Sequence, residues 1–115
     1  MKDFDISVAL AIEQNEIRQR EAYRQQKLQE VKTLLSSYFQ GKPVTEVYLI
    51  GSLLRPHGFN QYSDIDIVVK GMPPEAYFQI FGELEDLLHT EHLDLIEMER
   101  CHFGDLIERS GERIL

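Results

Sequence analysis

At 115 residues, with 43 % hydrophobic content and a formal net charge of −8, the chain has the size and composition of one soluble globular domain with a single core. No apolar run approaches the roughly 20 residues that span a bilayer; Met1 to Asp5 lacks the basic flank and apolar stretch of a leader; and Cys101, the only cysteine, excludes an internal disulfide and fits a reducing cytoplasm. Residues 1–43 hold seven Lys/Arg against six Asp/Glu, whereas 44–115 hold five against fourteen, a local charge of −9 that argues against a nucleic-acid backbone as partner.

The first predicted element is helical. Residues 5–40 contain no Pro or Gly. Ile6, Leu10 and Ile17 make a sparse stripe, and Leu28, Val31, Leu34, Leu35, Tyr38 and Phe39 a dense one at i, i+3, i+4 spacing. Gly41 and Pro43 supply the stop. Residues 22–40 therefore read as a core-packed helix, which residues 4–21 continue or precede as a separate one. Arg18 to Lys27 is almost wholly polar, so the early part is expected to project into solvent or to pack on a partner or a second copy. Val44 to Ile50 reads as a strand, and Leu53 to Tyr62 as a loop broken by Pro56, Gly58 and Asn60. Asp64 to Lys70 is a second strand. After the turn Gly71-Met72-Pro73-Pro74, the residues Tyr77, Ile80, Phe81, Leu84, Leu87 and Leu88 mark an amphipathic helix to about His89. Leu93 to Met98 is a third strand, and Asp105 to Arg113 a short final helix. This order implies a small α/β (α+β) domain with a sheet of three strands or slightly more, flanked by helices.

The chemistry concentrates at Gly51-Ser52 and at Ser63-Asp64-Ile65-Asp66-Ile67. Strand residues two apart share a face, so Asp64 and Asp66 are expected side by side, about 6–7 Å apart at Cα. Neighbouring carboxylates repel unless a cation or a proton joins them. Hard oxygen ligands select Mg²⁺ or Mn²⁺ and leave coordination positions for water and phosphate. Asp94 lies inside the apolar run Leu93 to Ile96, where an unpaired buried carboxylate is costly. If its strand neighbours that of Asp66, three carboxylates converge. That set suits two Mg²⁺ ions around a triphosphate, with Asp94 available as general base. Gly51 permits close approach of backbone to phosphate. Ser52 offers a hydroxyl and an N–H, Arg55 adds charge compensation, and Ser63 caps the turn or donates to a carboxylate.

The pattern Gly51-Ser52-x-x-Arg55…Ser63-Asp64-Ile65-Asp66-Ile67, followed by Asp94, resembles the polymerase-beta-type nucleotidyltransferase superfamily. Within it, the chain is similar to the minimal nucleotidyltransferases (MNT), the antitoxin partners of HEPN ribonuclease toxins. The resemblance covers about residues 44–115 as the nucleotidyltransferase domain and leaves 1–43 as an N-terminal helical extension of the same domain. It implies a polymerase-beta-like fold with a small mixed sheet. It also implies transfer of AMP from ATP, with Mg²⁺, to a tyrosine of a HEPN protein. Gly51 and Ser52 would bind the triphosphate, and Asp64, Asp66 and Asp94 the metals. Such sequences commonly carry Gly directly after the Arg, whereas Pro56-His57-Gly58 follows Arg55 here and redirects the loop. Two other readings remain: a binding module that neutralises its partner by contact, and a transferase acting on a small cationic molecule of aminoglycoside type. His57, His89, His92 and His102 lack metal spacing with Cys101 and read as exposed. Cys101 reads as a plain thiol, and Glu83 to Asp86 as a solvated helix face.

Overall fold

The computed structural model describes residues 5–115, so the reading of Met1 to Phe4 lies outside the described residues. Helix α1 runs unbroken over Ile6–Tyr38, because nothing between Asp5 and Tyr38 removes an N–H or loosens the backbone. At a 1.5 Å rise per residue it is about 50 Å long, and it sets the 67 Å long axis of the molecule. The Asp5 side chain caps its start, accepting from Ser7 N at 3.0 Å. Gly41, at φ +79°, turns the chain after its end.

Strand β1 (Glu46–Ile50) pairs antiparallel with β2 (Ile65–Lys70), which pairs parallel with β3 (Leu93–Glu97). Helix α2 (Tyr77–Leu88) makes the crossover between the two parallel strands. A short helix α3 (Gly104–Ser110) leads into a two-residue strand β4 (Glu112–Arg113), which pairs with the free edge of β1. The sheet is therefore mixed and four-stranded, in the order β3-β2-β1-β4. Relative to the sequence reading, β1 begins at Glu46, β2 begins at Ile65, and the last helix ends at Ser110 to make room for β4. Asp64 stays outside the ladder because pairing starts at Ile65, whose N–H donates to His92 O at 2.7 Å.

The two sheet faces are covered differently. One buries Val47, Leu49, Ile65, Ile67, Val69 and Leu95 against Val31, Leu35 and Phe39 of α1 and Ile80, Leu84 and Leu88 of α2. Burying one side chain of the size of Phe39 contributes about 1.5–3 kcal/mol. The other face packs Tyr48 and Val68 on Met98 and on Ile107 of α3. Alternation puts Asp66 on this second, thinly covered face, two residues before Val68. The early part of α1 runs free: from Ile6 to Arg20 every residue except the half-buried Ala9 is exposed. The polar stretch Arg18 to Lys27, expected to find nothing in its own domain, instead reaches back to it through Arg24, which is 6 % exposed. Among the described residues no helix is long and apolar enough to cross a membrane.

Candidate active site

The sheet register builds the site. Ile50 stands opposite Asp66 across β1 and β2, and Asp66 stands beside Asp94 across β2 and β3. Gly51 follows Ile50 directly and opens a tight 3-10 turn over Gly51–Leu54, where a plain loop was expected only from Leu53. Gly51 adopts φ +85°, and a Cβ there would collide with a carboxylate oxygen of Asp66. Only glycine fits both constraints. The Gly-Ser motif is thus tied sterically to the Asp-x-Asp motif.

Gly51, Ser52, Arg55, Ser63, Asp64 and Asp66 all line one cavity of about 820 Å³. That falls within the range of small-molecule sites. Asp94 is not among the lining residues. It sits one strand further out, exposed because β3 is an edge strand, so the penalty expected for burying it does not arise. Asp64 precedes β2, and its side chain is 66 % exposed, with its Oδ1 3.8 Å from His92 Nδ1. Ser63 Oγ accepts from Asn60 N at 3.1 Å, the local turn cap expected of it, while the residue also lines the cavity.

Burial, and then the charges of Asp94 and Asp64, push the Asp66 carboxyl up to about 6. Asp66 is thus a partly buried carboxylate beside two like charges, an arrangement that favours a bound cation. Among the described residues, no group of three or more His, Cys, Asp or Glu side chains closes into a cation cage. Asp64 faces solvent rather than Asp66 and Asp94. The donor set is nevertheless all hard oxygen, on adjacent strands, with the Gly51 backbone seated against one carboxylate. These residues fit a divalent cation in kind.

Several participants carried no sequence signal. Tyr62, Phe103, Leu106 and Ser110 also line the cavity. Tyr62 comes from the loop before β2, and the others from α3 and the residue that precedes it, so only the chain path brings them to the Gly51 turn. Glu21 and Arg24 of α1 grip the loop that carries Ser52 and Arg55. Arg24 Nη1 donates to Leu53 O at 2.8 Å, and its Nε and Nη2 donate to Glu21 Oε1 and Oε2 at 2.8 and 2.6 Å. Glu21 Oε1 also accepts from His57 N at 2.8 Å. The Arg24 guanidinium and the His57 N–H together hold the Glu21 carboxyl down to about 2. An Arg and a Glu three apart in a polar stretch look like any solvated helix face, so spacing alone does not reveal them. Tyr23 completes the contact, stacking on Phe59 with ring centroids 6.1 Å apart.

The chemistry of this site suits a phosphate at the Gly51-Ser52 turn and a cation at the neighbouring carboxylates. No curated protein matches the chain. A family model described as a nucleotidyltransferase domain matches residues 28–114, from the core-packed half of α1 through β4. Domains of this family generally use a nucleoside triphosphate and a divalent metal ion. The match takes in Gly51, Ser52, Asp64, Asp66 and Asp94, and the chain belongs to the nucleotidyltransferase-domain family.

Proposed function

We propose that the chain is a Mg²⁺-dependent nucleotidyltransferase antitoxin that moves AMP from ATP onto a tyrosine hydroxyl of a HEPN-type ribonuclease partner. The observation that carries the transferase reading is Asp66, in register with Asp94 and seated against Gly51 at the edge of the cavity. Asp66 and Asp94, with Asp64 beside them, would hold the metal; when bound, it would screen the triphosphate charge and favour in-line displacement. The backbone at Gly51 and the Ser52 hydroxyl and N–H bind phosphate oxygens, and Arg55 adds charge compensation. The acceptor oxygen bonds to the α-phosphorus as the α–β phosphoanhydride bond breaks, and pyrophosphate leaves. The hydroxyl proton passes to the Asp94 carboxylate, which is exposed and open to an incoming side chain.

Two observations support a protein acceptor. Residues 44–115 carry −9, which disfavours a polynucleotide. The free part of α1 also presents Ile6, Val8, Leu10 and Ile12, each more than half exposed, a surface suited to a docking protein. The test is intact-mass measurement of a co-purified partner, before and after addition of Mg²⁺ and ATP. A gain of one adenylate on the partner is expected. A captured partner whose mass does not change while ATP is bound would count against the proposal. The same exposed arm favours a second reading, neutralisation by contact alone. Under it, Asp64→Asn combined with Asp66→Asn leaves the partner silenced.

A further inference from the structure

The loop that presents the phosphate-binding turn is tied to α1 as well as to the core. It makes two successive tight turns, Arg55 N to Ser52 O at 3.1 Å and Gly58 N to Arg55 O at 2.9 Å. Within the second, His57 sits at φ 63°, a left-handed conformation uncommon for a residue with a Cβ. Leu53 and Phe59 anchor the loop in the core on either side, but Arg55, Pro56 and His57 between them are all exposed, so core packing does not hold the tip itself. Two hydrogen bonds from α1 do, one on either side of Arg55: Arg24 Nη1 to Leu53 O, and His57 N to Glu21 Oε1, each 2.8 Å. The two side chains are locked to each other by a paired Arg–carboxylate contact of 2.6 and 2.8 Å, the geometry that gives guanidinium its directional strength. Glu21 and Arg24 lie upstream of residue 28, where the match to the family begins.

We propose that Glu21 and Arg24 are positioning residues for nucleotide binding, holding the 51–58 turn in the shape that receives the triphosphate from the part of α1 that precedes the family-matched region. The proposal rests on the nucleotidyltransfer reading of the Gly51-Ser52 turn. Neither residue lines the cavity, so both act through Leu53 O and His57 N rather than by touching phosphate. A rigid turn presents its donors at no further ordering cost, whereas a released one must be ordered each time the nucleotide binds.

The test uses the full chain with Glu21→Ala, Glu21→Gln, Arg24→Met and Arg24→Lys. Arg18→Ala serves as control, since it removes a charge from an exposed position of the same helix. Mg-ATP affinity is measured by calorimetry at a temperature where circular dichroism shows each variant folded, and exchange of the His57 amide is followed by NMR. Glu21→Ala and Arg24→Met are expected to weaken Mg-ATP binding about tenfold, the size of one lost charge-assisted hydrogen bond, and to speed His57 exchange. Glu21→Gln keeps a carbonyl oxygen for the His57 N–H and should recover part of both. Arg24→Lys keeps the charge without the fork and should not. The control should match wild type. Folded variants that exchange His57 faster yet bind Mg-ATP as wild type does would overturn the positioning role and leave the functional reading intact. A wild-type chain that binds no Mg-ATP would overturn both.

Discussion

Replacing Asp66 by Asn should make the metal-free protein more stable at neutral pH, even as it removes the site's central ligand. The Asp66 carboxyl is pushed up from 3.8 to about 6, by burial first and then by the charges of Asp94 and Asp64. A shift of about two units corresponds to about 3 kcal/mol at full strength. Asp66 keeps part of its surface in solvent, and screening should leave about 1–2 kcal/mol of it. The folded state holds the proton more tightly than the unfolded chain. Wild-type stability should therefore fall as pH rises from about 4 to above 6, and Asp66→Asn should lack that component. Urea unfolding of both proteins in a chelator, from pH 4 to pH 8, measures the difference directly. The variant should exceed wild type by about 1–2 kcal/mol at pH 8, and the gap should close near pH 4. Added Mg²⁺ should stabilise wild type and leave the variant nearly unmoved. A variant less stable than wild type at pH 8 without metal, or a gap that does not change with pH, would refute the surplus of negative charge assigned to this position.

Two further perturbations probe the surroundings of the site. Gly51→Ala meets both a φ of +85° and the Asp66 carboxylate, so it should cost about 1–3 kcal/mol in chemical unfolding and weaken Mg-ATP binding. Wild-type stability in that variant would contradict the steric tie between the two motifs. Leu10→Asp combined with Ile12→Asp changes residues that are 51 % and 55 % exposed. It should move unfolding by no more than about 0.5 kcal/mol per site while abolishing partner capture in a pull-down. Undiminished capture would remove the arm of α1 as the docking surface.

The parts of the fold with their own apolar signal were legible in the sequence. The strands around Val47 to Leu49, Ile65 to Val69 and Leu95, and the stripes of α2 and late α1, announce themselves by period. Strand β4 does not, because its two residues, Glu112 and Arg113, are charged. Its place is set by the open edge of β1 and by Lys32 of α1, whose Nζ lies 2.6 Å from Glu112 Oε1. The polar stretch of α1 misleads for a related reason. Hydrophobic periodicity reports apolar burial only, whereas Arg24 is buried through hydrogen bonds, one of them to a carbonyl 29 residues away. At the site, spacing alone pairs Gly51-Ser52 with Asp64 and Asp66. The adjacency of Asp66 and Asp94 depends on a parallel register that spacing leaves open. The wall formed by Phe103 and Leu106 depends on how α3 folds back over the sheet, which no local pattern encodes.

Nucleotidyl transfer is tested most directly by incubating the chain and its captured partner with Mg²⁺ and ATP labelled either at the α-phosphate or at the γ-phosphate. Label from the α-position should appear on the partner, with pyrophosphate released. The γ-label should not transfer, and Asp66→Asn or Asp94→Asn should lower incorporation by about a hundredfold or more. Transfer of the γ-label instead, or α-label incorporation that survives both substitutions, would contradict the assignment of Asp66 and Asp94 as the residues that carry the reaction.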